Sequence, residues 1–523
     1  MTMRFLPVGP RSLLVELEDL EQTLALFDAL LADPIAGIAE IIPAARTLMI
    51  RTAPGIGADA ALAAAIRDRH RPLAARDQGD SAADVVEIPM TYDGQDLEDV
   101  ASLMGLTVAE VIAAHQAATW QVAFCGFAPG FAYMTCDDPR FDLPRRQSPR
   151  TRIPAGSVAL ASRFCGIYPQ DTPGGWQLIG TTKLPMWDLS RDPPAVLQPG
   201  RRARFVEGQA KTHPVTSPPA EQGAAGLTLL STAFPIVFQD DGRPGQGGQG
   251  VSASGALDRA ALHRANRAVG NPASAPALEI TMGPVRLRAD AAVTLALTGA
   301  ADRVDLIAGG QTLSVATGSA FAMDAGDELL IHSPRRGMRS YLALRGGFRV
   351  APVLGSAATD TLAFIGPDPL TAGARLSPAG ARSVAGAAAE PVPDLPGPDD
   401  LVSLPVTLGP RADWFTPQMI DRFLTQEWRV SPQSSRVGIR LEGDQPLTRE
   451  DSLELPSEGT ETGAIQVPHS GQPVLFLADH PLTGGYPVIA TLLPQALDLA
   501  GQIPPGARIR FTAEHDFTPI DPN

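Results

Sequence analysis

The sequence predicts a mainly β protein that begins with an α+β domain and contains two related β units. Residues 85–205 consist of short apolar runs that Pro or Gly interrupts about every eight to twelve residues, a spacing typical of a β-barrel or sandwich. Residues 1–84 instead combine a strand-like apolar run with Ala-rich helical stretches. Residues 174–181 resemble residues 484–491 in a Gly-Gly-aromatic start, an Ile and a Thr, and a Pro-then-Gly turn lies upstream of each, at 154–156 and at 468–471. This internal similarity predicts one related β unit in each half.

The length predicts several domains, because a single hydrophobic core stops growing at roughly 250–300 residues. A polar segment rich in Pro and Gly predicts a linker between two halves, and a looser one is expected near 380–400. The expected domains are an α+β domain at 1–84, a β domain at 85–205, a linker at 206–225, a β-rich domain at 226–385 and a second β domain at 386–523.

One helix is predicted in the first β domain, near 107–118, and one in the second half. Residues 256–269 have apolar residues at helical spacing, with Ser254 before them and Gly270 after them. Ser is a preferred residue at a helix N-cap, and Gly is common just beyond a C-terminus. We therefore expect Ser254 to cap this helix.

Charge and composition exclude several classes of partner. The formal net charge is −15, which opposes broad contact with nucleic acid or with an anionic membrane. The start lacks an apolar targeting segment, and no run of 18 apolar residues occurs. We expect a cytoplasmic protein. Its three cysteines have no CxxC spacing, so neither disulfides nor a zinc cluster is indicated.

The first candidate ligand loop is an aromatic turn at 124–133. It places Phe127 and Tyr133 around Pro129 and two glycines. The turn either fills a core with its aromatic rings or holds them beside a small ligand. Residue types alone leave both interpretations open.

The second candidate loop contains Gly174, Gly175, Trp176 and Gln177. Adjacent glycines let main-chain N–H groups approach an anion closely. A plain β-turn is the competing interpretation.

In the second half, Asp241 and Arg243 precede a glycine-rich loop that ends at Gly250. The planar guanidinium of arginine suits carboxylate or phosphate groups. A solvated ion pair of low energy is the alternative.

A further polar span begins near residue 466. Its two histidines, His469 and His480, are eleven positions apart, which is not a metal-binding signature, so no metal site is predicted. The candidate binding residues of this span are Gln466, Asp479, Thr483, Gly484, Gly485 and Tyr486.

These motifs resemble the B and C accessory subunits of 5-oxoprolinase, which are also known as the allophanate hydrolase subunit 1 and 2 families and are related to urea amidolyase. Residues 126–133, 154–157 and 173–176 resemble the B subunit. Residues 239–243, 255–258, 436–443, 466–468 and 483–487 resemble the C subunit. The chain is thereby identified as a fusion of B followed by C. The resemblance implies tandem cyclophilin-like β-barrels.

The resemblance leaves three functions open. The first is a component of an ATP-dependent 5-oxoprolinase, the second a carboxyltransferase-like component of a urea carboxylase system, and the third a regulator that inhibits a sensor histidine kinase. A biotin site needs a Lys that usually follows Met, and neither Lys183 nor Lys211 does. The Gly-Ser-rich run of amidase-type enzymes is also missing. Opening of 5-oxoproline with ATP is therefore favoured.

In that interpretation, ATP acts with Mg²⁺ as its counter-ion, no biotin is attached to this chain, and a separate 5-oxoprolinase A subunit is required. A homo-oligomer is also considered. No P-loop motif occurs, so arginines and main-chain amides would bind phosphate. The expected catalytic residues are Asp241, Arg243, Glu279 and His469. The expected binding residues are Phe127, Pro129, Tyr133, Gly174, Gly175, Trp176, Gln177, Gln466, Asp479, Thr483, Gly484, Gly485 and Tyr486.

Overall fold

The computed structural model describes residues 3–70, 85–146, 148, 150–208, 226–391, 393–449 and 455–522. Most of the linker predicted at 206–225 lies outside these described residues. Strands are the most frequent elements among the described residues. An α+β region comes first, and the β-barrels follow it. The predicted fold class is confirmed.

A four-stranded sheet with two helices forms the N-terminal region. Its strand order is β1-β2-β4-β3. Asp19 and Asp59 begin the two helices by accepting main-chain N–H bonds, as N-cap residues do. The elements are β1 (Arg4–Gly9), β2 (Ser12–Glu16), α1 (Leu20–Ala32), β3 (Ile38–Pro43), β4 (Thr47–Thr52) and α2 (Ala60–Arg67).

The first barrel follows. Seven of its strands run in the order β12-β9-β10-β7-β6-β13-β5, and a bridge between Thr91 and Thr181 joins the two edges. The helix predicted near 107–118 is present and begins at a Thr107 capping box. The elements are β5 (Val85–Met90), α3 (Leu97–Met104), α4 (Val108–Ala117), β6 (Trp120–Cys125), β7 (Ala132–Thr135), β8 (Arg150–Ile153), β9 (Ser157–Ala161), β10 (Phe164–Ile167), β11 (Thr172–Gly174), β12 (Gln177–Thr181) and β13 (Arg202–Glu207).

Two sheets of six and five strands form a sandwich in the next region, with orders β20-β19-β22-β17-β14-β24 and β15-β16-β23-β18-β21. Leucines of both sheets fill one core between them. The elements are β14 (Leu227–Thr232), β15 (Val237–Gln239), α5 (Arg259–Ala268), β16 (Ala277–Thr281), β17 (Val285–Ala289), β18 (Val293–Gly299), β19 (Val304–Ala308), β20 (Gln311–Ser314), β21 (Ala320–Met323), β22 (Glu328–Ile331), β23 (Arg339–Leu344) and β24 (Arg375–Leu376).

The prediction that Ser254 caps helix α5 is wrong. Asp258 caps it instead, by accepting the N–H of Ala261. The hydroxyl of Ser254 donates to Asp479 in the second barrel, 2.6 Å away, so a contact between domains uses this side chain.

The second barrel is closed, with the cyclic order β25-β32-β29-β30-β27-β26-β33. Its elements are β25 (Leu401–Leu408), α6 (Pro417–Thr425), β26 (Trp428–Val430), β27 (Gly438–Glu442), β28 (Glu458–Gly459), β29 (Ala464–Gln466), β30 (Val474–Phe476), β31 (Thr483–Gly484), β32 (Val488–Leu492), α7 (Leu497–Gln502) and β33 (Arg508–Ala513).

The two barrels have the same topology. Each strand of the first has a counterpart in the second at the same place in the order, and each barrel begins with a strand that pairs in parallel with its last strand. A small two-stranded sheet accompanies both, β8 with β11 and β28 with β31. Trp120 and Trp428 begin equivalent strands, and each donates from Nε1 to a carbonyl five residues earlier. The predicted repeat is therefore real.

One part of the predicted similarity is wrong. The Pro–Gly turn at 154–156 precedes β9, whereas the turn at 468–471 follows β29, so the two are not equivalent. Gly463 directly precedes β29 and is the true counterpart of Gly156. Both glycines have positive φ, +89° and +81°. A short Pro–Gly pattern recurs too easily to define which turns correspond.

Candidate functional site

The two paired-glycine turns lie on opposite walls of one cleft between the barrels, with a volume of about 210 Å³. Gly174 and Gly175 belong to the first barrel, and Gly484 and Gly485 belong to the second. Ring side chains supply most of the remaining lining, namely Phe127, Phe131, Tyr133, Tyr168, Trp176 and Tyr486. The polar lining residues are Arg145, Ser457 and Thr483.

The aromatic turn is both core and cleft wall. The Phe131 ring is nearly fully buried and packs edge-to-face on Phe127, Tyr168 and Trp176, with centroid distances of 5.3, 5.3 and 5.5 Å. Edge-to-face packing fixes the ring orientations. The cleft therefore has rigid apolar walls, and the rings of this turn pack in a core while they line the cleft.

A direct contact closes one end of the cleft. The Phe127 N–H donates to Thr483 Oγ1 of the second barrel at 3.1 Å. A Cβ atom at Gly126 would lie 2.3 Å from that oxygen, which no side chain tolerates. Gly126 therefore permits the two barrels to meet at this point.

A neighbouring side chain packs closely on one glycine of each turn. A Cβ at Gly174 would lie 2.7 Å from the Tyr168 hydroxyl, and one at Gly484 would lie 2.7 Å from Gln466 Nε2. Gln466 in turn donates to the Tyr486 carbonyl at 3.1 Å, which braces the second turn. Both turns are thus held close to their neighbours with their main chains along the cleft.

Burial dominates the electrostatics of the cleft. It raises the pKa of Tyr133, although the nearby Arg145 charge and the hydroxyls of Ser457 and Thr483 partly oppose it. Burial raises the pKa of Tyr168 as well, again against Arg145. Both phenols therefore stay protonated at neutral pH and can act as hydrogen-bond donors.

A second cavity of about 310 Å³ adjoins the cleft. The two share Tyr133, Arg145, Trp176 and Ser457 as lining residues. The second cavity extends toward the N-terminal sheet and the start of helix α1. The site as a whole is therefore formed by three parts of the chain: the N-terminal sheet and both barrels.

The structure does not bring Arg243 to the cleft. Its side chain is 2% exposed and donates to the carbonyls of Val353, at 3.3 Å, and of Ala358. The following glycine loop contacts other domains, since Gly247 N–H donates to Glu40 and Gly130 N–H donates to the Gln249 carbonyl. Neither this arginine nor the loop is part of the cleft lining, because folding uses both as internal contacts.

Glu279 and Asp479 do not line the cleft either. Both are fully buried and pair with one guanidinium, that of Arg436. Burial opposes ionisation of Asp479, but Arg436 and the Ser254 hydroxyl outweigh it and lower its pKa. These groups form a junction between the sandwich and the second barrel.

Four further predicted residues do not line the cleft, namely Asp241, His469, Pro129 and Gln177. Asp241 pairs with His263 at 2.7 Å on a partly exposed surface. His469 touches the cleft only through Tyr486, whose ring it meets edge-on at 5.3 Å. Pro129 is buried in its turn, and Gln177 Nε2 donates to the Pro144 carbonyl at 3.2 Å.

The expected site residues omitted five residues that line the cleft, namely Phe131, Arg145, Tyr168, Pro173 and Ser457. Arg145 and Ser457 stand in no recognisable motif: Arg145 follows a proline, and Ser457 follows Pro456 in an irregular segment. Over the described residues, no helix is long and apolar enough to cross a membrane. No group of three or more His, Cys, Asp or Glu side chains in that part of the chain is placed to hold a metal ion.

Comparison with known families agrees with this architecture. Residues 3–197 match the family described as carboxyltransferase domain, subdomain C and D, and residues 249–513 match carboxyltransferase domain, subdomain A and B. The chain belongs to the carboxyltransferase-domain family. The two matches correspond to the B-like and C-like halves, so the predicted fusion is confirmed.

Members of the carboxyltransferase-domain family with curated names include subunits of 5-oxoprolinase. The C subunit from Escherichia coli K12 is 40% identical over 288 residues, which cover 54% of this chain and 90% of that protein. The B subunit from Escherichia coli O157:H7 is 44% identical over 124 residues, which cover 23% of this chain and 57% of that protein.

Solved structures of the family show the same arrangement. The crystal structure of TTHA0988 is similar with a TM-score of 0.81 at 34% identity, over 96% of this chain and 99% of that one. The urea amidolyase of K. lactis is similar with a TM-score of 0.51 at 28% identity, over 56% of this chain and 19% of that one.

Proposed function

We propose that the protein is a cytoplasmic component of an ATP-dependent 5-oxoprolinase that opens 5-oxo-L-proline to L-glutamate. The observation that carries the proposal is the cleft in which paired-glycine turns from a B-like and a C-like half face each other. The similarity of the halves to the B and C subunits of 5-oxoprolinase supports it. A separate A subunit of that enzyme is the expected partner.

A lactam resists hydrolysis because amide resonance makes its carbonyl carbon a poor electrophile. Transfer of the terminal phosphoryl group of ATP, with Mg²⁺ as counter-ion, to the amide oxygen would release ADP and leave a species without that resonance. Water would then add to its carbon, and loss of inorganic phosphate with cleavage of the ring C–N bond would give L-glutamate. The chain's contribution is to position the ring and stabilise charge. The glycine turns and the Arg145 side chain line the cleft, which supports both roles for this chain.

The aromatic walls also favour a small flat ring. Phe127, Trp176 and Tyr486 present ring surfaces to the cleft, and Tyr133 and Tyr168 keep protonated hydroxyls beside it. A lactam offers a carbonyl acceptor and an N–H donor to such groups. Partial exclusion of water strengthens these hydrogen bonds.

A carboxyltransferase component of a urea-converting system is the second candidate. It is favoured by the similarity of 53% of the chain to the urea amidolyase of Lachancea kluyveri, at 31% identity. That function needs biotin on another chain and urea as substrate. Urea is smaller and lacks a ring, so the ring-lined cleft favours the first candidate.

The test is ATP turnover by the full chain, with and without a separately prepared 5-oxoprolinase A subunit. We expect ADP formation that depends on 5-oxoproline only when the A subunit is present, and loss of at least tenfold in Trp176→Ala. Phe364→Ala is the matched control, because that ring is exposed and lies outside both cavities. Turnover that depends on urea and a biotinylated partner instead would support the second candidate. No turnover with either substrate would support the regulatory alternative.

A further inference from the structure

Arg51 of strand β4 joins the N-terminal sheet to the second barrel without lining the cleft or the adjoining cavity. Its Nη1 atom donates to Glu40 at 2.8 Å, directly opposite on strand β3. Nε donates to Glu461 at 2.8 Å, and Nη2 donates to the Thr460 carbonyl at 2.9 Å, both in the second barrel. All three nitrogens of the guanidinium are thus used for contacts within the protein.

Glu40 extends this bridge to the aromatic turn. Its other carboxylate oxygen accepts the Gly247 N–H at 2.9 Å. Gly247 begins a short helical turn that ends at Gln249, and the Gln249 carbonyl accepts the Gly130 N–H at 3.0 Å. Gly130 belongs to the turn whose rings line the cleft. The position of Glu40 therefore affects how the aromatic turn is held.

On the other side, Arg51 holds the small sheet that carries the second glycine turn. Its two acceptors in the second barrel directly follow strand β28. Strand β28 pairs with β31, with Gly459 opposite Thr483. Thr483 and Gly484 form β31, and both line the cleft. A displacement of the Arg51 acceptors relative to β4 would therefore move the second glycine turn.

The bridge is charged at neutral pH. Burial opposes the charge of Arg51, but Glu461 and Glu40 outweigh it and raise the pKa of the guanidinium. Burial likewise opposes ionisation of Glu461, but the Arg51 charge outweighs it and lowers the pKa of that carboxyl. Charge-assisted hydrogen bonds are shorter and stronger than neutral ones. The two carboxylates are therefore held firmly on one guanidinium.

Arg4 of the same sheet forms a similar bridge that does not reach the cleft. It pairs with Glu16 of the sheet at 2.8 Å and with Asp413 of the second barrel at 2.5 Å. Glu16 has a second arginine, Arg411, at 2.9 Å, so it stays paired when Arg4 is removed. Loss of Arg4 thus breaks an ion pair between the sheet and the barrel and leaves the contacts of Arg51 in place.

We propose that Arg51 is a positioning residue of the cleft: by holding Glu40 and Glu461 together, it fixes the aromatic turn and the second glycine turn at one separation. This role rests on the proposed function, because the cleft is taken as the ligand site. It adds a residue that acts on the ligand only through others.

The test is ¹⁹F NMR of the full chain labelled with 5-fluorotryptophan, without any ligand. The Trp176 signal is the one that disappears in Trp176→Phe, and it reports on the cleft that this ring lines. We expect Arg51→Gln, Glu40→Gln and Glu461→Gln each to shift the Trp176 signal by more than its line width. The signals of Trp120 and Trp428, which are fully buried in the barrel cores, stay in place and show that both barrels are folded.

Arg4→Gln is the matched control and leaves the Trp176 signal unchanged. Arg51→Lys shifts it less than Arg51→Gln, since it retains the charge without the planar fork. A wild-type Trp176 signal in Arg51→Gln, an equal shift in Arg4→Gln, or equal shifts of all tryptophan signals would overturn the proposal. If Arg51→Gln does not fold, Arg51→Lys decides, and a wild-type Trp176 signal in that variant would overturn the proposal too.

Turnover separates this role from the proposed function. With the 5-oxoprolinase A subunit present, we expect Arg51→Gln to lower kcat/KM for 5-oxoproline by about tenfold or more, because misplaced binding groups are costly. Arg4→Gln keeps the wild-type value. A shifted Trp176 signal with no turnover in any variant would keep the role of Arg51 and reject the 5-oxoprolinase function. Wild-type turnover and a wild-type Trp176 signal in Arg51→Gln would do the reverse.

Discussion

The two barrels share one strand order but use the same connection differently. In the first barrel, the connection from β6 to β7 carries the aromatic turn, which lines the cleft and meets Thr483 through a main-chain bond. In the second, the connection from β26 to β27 carries Arg436, which is buried between Glu279 and Asp479. A repeated frame thus provides a cleft wall in one copy and a domain junction in the other. The polar groups of the junction are buried against one another, whereas those of the cleft line an open cavity.

The largest effect is expected from breaking the junction. Arg436→Gln leaves two buried carboxylates without their cation, which lowers the free energy of unfolding by about 3–5 kcal/mol. Urea denaturation followed by tryptophan fluorescence measures this loss. Arg152→Gln, an exposed ion pair, changes it by about 0–1 kcal/mol. If both variants have the same free energy of unfolding as the wild type, the ion pairs of Arg436 do not stabilise the junction that distinguishes the second barrel.

A second experiment tests whether the barrel frames are equivalent. Trp120→Phe and Trp428→Phe each remove an Nε1 hydrogen bond, of 3.4 and 3.0 Å, and leave a buried carbonyl unpaired. Each substitution is expected to cost about 2 kcal/mol, with the larger loss at the shorter bond. Thermal denaturation of the pair gives the comparison. If one of the two substitutions leaves the melting temperature unchanged, the two indoles are not structural counterparts.

Acid sensitivity is expected to differ between the barrel cores. His115 of the first barrel occupies the position that Phe423 has in the second, where each precedes the core tryptophan by five residues. Burial lowers the pKa of His115 from 6.5 to about 3. Between these values the unfolded chain binds a proton that the folded chain excludes, so stability is lost as pH falls from about 6.5 toward 3, by up to roughly 1.4 kcal/mol per pH unit.

His115→Phe removes this contribution. Urea denaturation of the variant between pH 7 and pH 5 should show a smaller decrease in unfolding free energy than the wild type. The buried His480 has its pKa lowered to about 4 and remains in both proteins, so part of the decrease persists. An unchanged pH profile would mean that His115 is already neutral in the unfolded chain or charged in the folded one.

The smallest effect is expected at the contact between the barrels. Thr483→Val keeps the side-chain shape but removes the acceptor of the Phe127 N–H, which costs about 1 kcal/mol. Differential scanning calorimetry of Thr483→Val beside Thr483→Ser provides the measurement, because the serine keeps the oxygen. Equal losses in both variants would assign the effect to the methyl group.

Much of the fold could be predicted because its signals are local. Pro and Gly mark the strand ends, and the Gly-Gly-aromatic repeat marks equivalent positions in the two barrels, where neighbouring side chains pack closely on Gly174 and Gly484. Those same glycines also identified the cleft.

The charged residues could not be placed in the same way. Arg243 and Arg145 have the same side chain, and only tertiary packing buries the first against carbonyls and brings the second to a cavity. The pairing of Glu279 could likewise not be predicted from the sequence, because its partner Arg436 is 157 positions away. Residue type gives the chemistry of a side chain, whereas long-range contacts decide whether solvent or ligand can reach it.

The facing glycine turns have one more consequence. Their main chains follow related paths, yet Trp176 follows one pair and Tyr486 the other, so the opposing surfaces are unlike. A molecule turned end over end would meet a different neighbour at each side. The two surfaces therefore distinguish one end of a molecule in the cleft from its other end.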